Sequence, residues 1–331
     1  MRFIILLLSY CFISSCNGQQ KSFGMEHLKL DKTIEMPEVS GRIDHLAVNL
    51  KDQVVYVAAL GNNTVEVIDL TKGTLIRSIK GIEDPQGIAY ISETNEIAVA
   101  SGGSGDCIFF NAVSFQQVAI IHLAGDADNI RYDGATKNMY VGYGDGGIAM
   151  IDPVTHKQTG DVKLTAHPES FQLDKKNNRL YVNLPDNHSI AVIDLKSFTL
   201  TDTWKISKYS ANFPMTLDTA NDLVFVGFRH PALLVSYNSK TGKQVSANEL
   251  VGDVDDIFYD AANQRIIASG GDGYINIFER ADTTSYKKIA DISSRSGART
   301  SLLIPSLQTF IVAERANGGK NAVLAIYKMV D

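Results

Sequence analysis

Cysteine is scarce in this chain of 331 residues, which contains only Cys11, Cys16 and Cys107. No CxxC or CxxCH pattern occurs, so a thiolate zinc site, a thioredoxin-like redox motif and a covalently attached haem have no support. Cys107 precedes the apolar run Ile108-Phe109-Phe110. We expect a thiol in such a strand to be buried and unreactive.

Common catalytic signatures are missing as well. The sequence has no HExxH zinc motif, no GxSxG nucleophile elbow and no GxxxxGK[ST] phosphate loop. A GxGxxG pattern occurs at residues 142–147, but the strand-like residues 148–151 follow it where a dinucleotide site needs a helix. We therefore interpret it as a hairpin loop. After residue 20 no stretch shows sustained helical periodicity, which favours an all-β fold.

Positive charge is in deficit. The chain carries 31 Lys and Arg against 37 Asp and Glu, a formal net charge of −6. Nucleic acids and anionic membrane surfaces bind proteins that present a basic patch. We therefore expect no nucleic-acid partner, and contact with a membrane only through a covalently attached lipid.

A short β-branched run recurs seven times with a period of about 42 residues. Its first residue in each copy is Tyr56, Ala98, Tyr140, Tyr181, Phe225, Ile267 and Ile311, with spacings of 42, 42, 41, 44, 42 and 44. Repeats of this length that hold four short strands are typical of propeller blades. The sequence thus predicts an all-β, seven-bladed β-propeller with four antiparallel strands per blade.

The pattern within a repeat supports this prediction. In the fourth copy, four apolar runs begin at Ser170, Arg179, Ser189 and Leu200, and polar turns separate them. In five of the copies an Asp or Asn follows the third run. Its side chain can start a turn by forming a hydrogen bond with the backbone two residues further on. These turn residues are Asp69, Asn111, Asp152, Asp194 and Asn238.

The two ends of the repeat region predict how the ring closes. The last copy, residues 298–329, supplies only three strands, whereas residues 27–36 form one extra strand before the first copy. We expect this N-terminal strand to complete the last blade, so that both ends of the chain join in one sheet.

Residues 56–69 (YVAALGNNTVEVID) and 181–194 (YVNLPDNHSIAVID) resemble the repeat of the YVTN-type, YncE-like β-propellers. The resemblance extends over residues 41–330 and is weaker in the fifth to seventh copies. It implies a seven-bladed propeller in an extracytoplasmic setting. It does not imply one activity, because such propellers include binding proteins, cofactor-bearing subunits and enzymes.

The N-terminus resembles the leader of a bacterial lipoprotein. Arg2 precedes a short apolar stretch, and residues 13–16 (ISSC) resemble a lipobox. The resemblance implies a signal peptide at 1–15, a lipid on Cys16, a tether at 16–25 and the propeller at 26–331. Asn17 then favours the outer membrane, with the protein facing the periplasm. An ordinary signal peptide cleaved nearby is the alternative.

Candidate binding residues lie where each innermost strand begins. Twelve residues before the seven anchors stand Asp44, Gln86, Asp128, Glu169, Phe213, Asp255 and Arg299. Adjacent candidates are Arg42, His45, Asn129, His167 and Asp256. In a propeller these residues are expected to meet around the axis, at the end of the central channel that we call the mouth. The loops between second and third strands add Tyr143, Asp145, Arg229 and Asp272 at the same face.

Several functions are compatible with such a mouth. We expect a monomeric module that binds a small molecule or an envelope protein, without a resident cofactor or metal. Asp44, Asp128, Glu169 and Asp255 could hold Ca²⁺ or Mg²⁺ weakly. The first alternative is a hydrolase or lactonase that uses the acidic mouth. A second alternative, a redox or metal-carrying subunit, has no support because the sequence contains no haem motif. These polar groups could also simply line a water-filled channel.

Overall fold

The computed structural model describes residues 27–330, which form seven four-stranded antiparallel sheets. Each sheet is one blade, and the blades surround a central channel. The predicted all-β, seven-bladed propeller is therefore confirmed. The predicted signal peptide, the lipid-bearing Cys16 and the tether lie outside the described residues.

The strands are numbered in chain order, beginning with β1 (Leu28–Met36). Blade one contains β2 (Leu46–Asn49), β3 (Val54–Ala59), β4 (Thr64–Asp69) and β5 (Thr74–Lys80). Blade two contains β6 (Pro85–Ile91), β7 (Glu96–Ser101), β8 (Asp106–Asn111) and β9 (Gln117–His122). Blade three contains β10 (Ala127–Asp133), β11 (Asn138–Tyr143), β12 (Gly147–Asp152) and β13 (Lys157–Lys163). Blade four contains β14 (Phe171–Asp174), β15 (Arg179–Leu184), β16 (Ser189–Asp194) and β17 (Thr199–Lys205).

Blade five contains β18 (Ser210–Asp218), β19 (Leu223–His230), β20 (Ala232–Asn238) and β21 (Gln244–Glu249). Blade six contains β22 (Val254–Asp260), β23 (Arg265–Gly270), β24 (Tyr274–Arg280) and β25 (Tyr286–Ser293). Blade seven contains β26 (Thr300–Ile304), β27 (Thr309–Glu314) and β28 (Ala322–Met329). Short 3-10 turns occupy Leu60–Asn62, Pro185–Asn187 and Pro305–Leu307.

Ring closure follows the prediction from the sequence. The sheet of blade seven has the order β1-β28-β27-β26, so the N-terminal strand is its outermost strand. β1 runs antiparallel to β28, with Leu28 opposite Met329 and Met36 opposite Ala322. Ile34 and Met36 are buried, and they pack in one cluster with residues of blade one such as Val55 and Ile68. The closing strand therefore joins the first and last blades.

Local chemistry explains why each copy folds in the same way. The carboxylate Oδ1 of Asp194 accepts hydrogen bonds from the backbone N–H groups of Lys196 and Ser197, at 3.0 and 2.7 Å. Asn111 and Asn238 cap the corresponding turns of blades two and five by the same two contacts. The predicted turn residues are thus confirmed at these positions.

The core lies between adjacent blades rather than inside one of them. Residues of blades one and two, for example Val65, Ile79, Ile97 and Val99, pack in one cluster. Cys107 is buried and free, as expected, and burial raises the pKa of its thiol. Within residues 27–330 no helix has the length and apolarity that crossing a membrane would require.

Strand direction defines two faces of the ring. The innermost strands β2, β6, β10, β14, β18, β22 and β26 start at the mouth and end at the face that we call the opposite face. Because neighbouring strands are antiparallel, the loops between second and third strands return to the mouth, and the third-to-fourth turns lie at the opposite face. The GxGxxG residues 142–147 form one of these hairpin loops, between β11 and β12, as predicted.

Candidate functional site

The predicted mouth residues come together in the structure. Four of these residues lie near the start of their innermost strands: Gln86, Asp128 and Asp255 are the second residue, and Phe213 is the fourth. Arg299 directly precedes its strand, and Asp44 and Glu169 stand two residues before theirs. A cavity of about 20 Å³ is lined by Arg42, Asp44, His45, Asp128, Asn129, Glu169, Ser170, Phe213 and Asp255. Residues from five blades therefore surround one small space at the axis.

One side of the mouth is held by arginine–carboxylate contacts. Arg299 Nε lies 2.9 Å from Asp255 Oδ2, and its Nη1 lies 2.9 Å from Asp253 Oδ1. Arg229 Nη2 lies 2.5 Å from Asp255 Oδ1. The guanidinium of Arg229 also lies over the ring of Phe213, 3.9 Å from its centroid. This contact covers one face of the Phe213 ring.

A second group joins the mouth to the channel below it. Arg42 Nη2 donates to Asp44 Oδ2 at 2.7 Å. His45 lies between two carboxylates, with Nε2 3.6 Å from Asp44 Oδ1 and Nδ1 3.7 Å from Asp256 Oδ1. Asp256 also accepts a hydrogen bond from the backbone N–H of Ser301, at 2.8 Å. These contacts connect blades one, six and seven.

The third group is centred on His167. Its Nδ1 lies 2.7 Å from the carbonyl oxygen of Gly144, and its Nε2 lies 3.7 Å from Asp128 Oδ2. The side chain of Gln86 donates to Asp126 Oδ1 at 2.9 Å, and Asp126 Oδ2 lies 3.7 Å from His167 Nδ1. Ligand atoms of Asp128, His167 and Glu169 all lie within 4.8 Å of one another. This group could hold a metal ion.

Burial and crowding change the acid–base properties of the mouth. Burial raises the pKa of Glu169 well above its usual range, and the nearby carboxylates of Asp128 and Asp255 raise it further. Burial also raises the pKa of Asp256 to about 7, although His45 opposes this effect. For His167, burial lowers the pKa, but Asp128 and the carbonyl of Gly144 outweigh it and bring the value to about 9. Both carboxyl groups and the imidazole therefore hold their protons to higher pH than the same groups do in water.

A wider space lies deeper in the channel. A cavity of about 470 Å³ begins below the mouth at His45 and Asp256 and extends towards the opposite face, where Tyr90, Tyr132 and Tyr259 contribute to its wall. Polar groups of three innermost strands also line it, namely Arg131, Gln172 and Thr216. Burial lowers the pKa of Arg131. The channel therefore has a narrow charged mouth and a wider, partly aromatic interior.

Sequence reasoning missed several of these residues. Asp126 and Asp253 stand two residues before Asp128 and Asp255, the same offset by which Arg42 and His167 were found. Applying that offset to every repeat would have found both. Arg131, Gln172 and Thr216 stand three residues after their mouth positions, and a comparison of that position across blades would have identified them.

The fold and this site define a seven-bladed β-propeller with a charged channel mouth. A chain in the crystal structure of the mitotic checkpoint complex is similar, with a TM-score of 0.76, 13% identity and 100% coverage of both chains. Hydrazine synthase of Kuenenia stuttgartiensis is also similar, with a TM-score of 0.76 and 14% identity over 88% of this chain and 96% of that one. At such identities the likeness shows the fold alone.

No protein-family model matches the chain, and no curated protein matches its sequence. The resemblance to YVTN-type propellers, which depends on residues 56–69 and 181–194, therefore stays a prediction.

Proposed function

We propose that the protein is a binding module of the bacterial envelope, attached to the membrane by a lipid on Cys16, whose mouth face binds a segment of another protein. The observation that carries the proposal is the asymmetry of the mouth. Acidic, basic, amide and aromatic side chains occupy equivalent positions of seven similar blades. Seven identical positions could not orient an asymmetric partner, whereas this set can.

The mouth itself, unlike the wider channel below it, is too small to enclose a small organic molecule. The space among the mouth side chains is about 20 Å³, whereas pockets for small organic ligands measure about 300–1,000 Å³. The mouth is therefore better suited to contact a surface than to enclose a compound. Arg42 has 43% of its side chain exposed and Asp253 has 40%, so both charges are available to a partner. Such complementary charges give protein interfaces their specificity.

Site-specific photo-cross-linking in cells that make the full chain tests the mouth face. A photoreactive residue at Asp145 or Asp272, in mouth loops, should give one defined protein adduct. The same residue at Lys196, in a turn of the opposite face, should give none. Adding Arg42→Ala to the Asp145 probe should lower the adduct yield at least about tenfold, because an interfacial charge contact contributes about 2 kcal/mol or more. Lys196→Ala is the matched control for loss of a positive charge and should leave the yield unchanged.

Adducts at Lys196 and none at Asp145 or Asp272 would place the partner on the opposite face and refute the proposal. The hydrolase or lactonase alternative stays a prediction, since no further observation favours it over binding.

The membrane attachment is tested separately. In the wild type, the protein should sediment with the outer membrane, because an acylated N-terminus anchors it. Cys16→Ser should leave it unprocessed or release it to the soluble fraction. Cys11→Ser is the matched control, and it should fractionate as the wild type does. Unchanged processing and sedimentation of Cys16→Ser would show that the lipid is not on this residue.

A further inference from the structure

We propose that Asp128, His167 and Glu169 bind one divalent transition-metal ion, with Zn²⁺ as the expected ion. The proposal concerns the metal alone and does not depend on a protein partner at the mouth. The three side chains come from two neighbouring blades, since Asp128 lies in β10 of blade three, whereas His167 and Glu169 stand four and two residues before the start of β14 in blade four. Their potential ligand atoms lie within 4.8 Å of one another.

The distances suit a single small ion. Zinc bonds to nitrogen and carboxylate oxygen are about 2.0–2.2 Å long, so two ligands of one ion lie about 3–4 Å apart. His167 Nε2 already lies 3.7 Å from Asp128 Oδ2. A carboxylate oxygen of Glu169 lies within 4.8 Å of a ligand atom of both residues. The cavity next to these groups, at about 20 Å³, has room for an ion or a water molecule.

The orientation of His167 is the one that a metal requires. A carbonyl oxygen can only accept, so the 2.7 Å contact with Gly144 places a hydrogen on Nδ1. A metal ion that displaces the second proton then finds the lone pair on Nε2, which is the nitrogen that lies near Asp128. Histidine ligands of metals in proteins usually donate their second N–H to a carbonyl or carboxylate in this way.

Within residues 27–330, one buried polar atom at the cavity, Asn129 Oδ1, lacks a partner, and no cationic side chain pairs with the Glu169 carboxylate there. Asn129 is 2% exposed, and its Oδ1 has no hydrogen-bond partner among residues 27–330. Across the same described residues, the Glu169 carboxylate has no ion pair within 4.0 Å. Both side chains line the cavity together with Asp128. Because buried polar groups are normally paired, an ion at this point would satisfy the Asn129 amide oxygen, and it would also balance the charge of the Glu169 carboxylate.

The neighbouring arginines decide which carboxylates remain for the ion. Arg42 pairs with Asp44, whereas Arg229 and Arg299 pair with Asp255. Two of the four carboxylates that the sequence suggested for Ca²⁺ or Mg²⁺ are thus engaged by guanidinium groups. What remains is an imidazole with two carboxylates. An imidazole nitrogen favours zinc and other transition metals, while Ca²⁺ and Mg²⁺ favour oxygen ligands.

Titration calorimetry of the full chain, purified in detergent and stripped of metal with a chelator, tests the site. ZnCl₂ should bind with a stoichiometry of one, at least about a hundredfold more tightly than CaCl₂. Asp128→Asn, His167→Ala and Glu169→Gln should each weaken Zn²⁺ binding at least about tenfold, because removing a ligand costs at least as much as removing a supporting contact. His122→Ala is the matched control, since His122 also contacts a carboxylate, 2.7 Å away on Asp106, but lies far along the blade in β9.

A spectroscopic readout separates a ligand from a residue that only supports the fold. Co²⁺ in place of Zn²⁺ should show visible absorption bands that change in His167→Ala and stay the same in His122→Ala. Binding of Ca²⁺ as tight as that of Zn²⁺ would overturn the proposal in favour of an oxygen-only site. Absence of Zn²⁺ binding by the wild type, or unchanged binding by the three variants, would overturn it as well.

Discussion

Removing residues 27–36 should lower the melting temperature of the protein by at least about 10 °C, or prevent it from folding. The deletion takes away β1 and leaves β28 as an unpaired edge that other chains can join. It also removes Ile34 and Met36, which are 2% and 0% exposed. Loss of each such side chain costs about 2–5 kcal/mol, and about 1 kcal/mol shifts the melting temperature of a domain this large by roughly 2–4 °C.

Point variants test the same prediction in a chain that still folds, because the deletion variant can aggregate. Ile34→Ala should lower the free energy of unfolding by about 2–5 kcal/mol in urea titrations. The adjacent Thr33→Ala is the matched control, since Thr33 is exposed, and we expect a change within about 0.5 kcal/mol. If Ile34→Ala and Thr33→Ala had equal stability, β1 would not hold the ring closed.

Gly87→Ala should lower the free energy of unfolding by about 3 kcal/mol or more. A Cβ atom on Gly87 would lie 2.0 Å from the carbonyl oxygen of Asp128 and 2.9 Å from the backbone nitrogen of Ile130. Both atoms belong to the backbone of β10, so no side-chain rotation relieves the clash. The innermost strands of blades two and three would have to separate, which would also displace the carboxylate of Asp128.

Gly134→Ala is the matched control for this variant. Its added methyl group would come no closer than 3.7 Å to Cε1 of Tyr132, which is ordinary van der Waals contact. We expect a change within about 0.5 kcal/mol in the same urea titration. Equal stability of the two variants would mean that the innermost strands of blades two and three do not approach as closely as the structure shows.

The fold could be predicted because its determinants are local and repeated. Turn residues such as Asp194 act within three residues of themselves, and the strand beginning at Arg179 was placed from its own composition. Closure by β1 followed from a missing fourth strand in the last copy. Seven repetitions of a local pattern leave few other arrangements, so errors at single strand ends had no consequence for the architecture.

The site was predictable only in part. Equivalent positions in the repeats located Asp128, Glu169 and Asp255, because position in a blade fixes where the backbone passes the mouth. Several contacts at the mouth join side chains that are 26–46 residues apart in sequence, such as Arg229 with Asp255 and Arg299 with Asp253. Side-chain rotamers determine which arginine pairs with which carboxylate, and they also determine that Arg229 lies over the ring of Phe213. The sequence carries no local signal for them.

The direction of β1 shows at which face of the propeller a lipid-bearing tether would join the ring. β1 begins at Leu28 beside the end of β28, at the opposite face, and runs towards the mouth. If Cys16 holds the lipid, residues 16–26 connect it to that face and span at most about 40 Å. The tether would then leave the propeller on the face away from the mouth, so the mouth could be directed away from the bilayer. A partner could approach from the aqueous compartment without first passing between the propeller and the membrane.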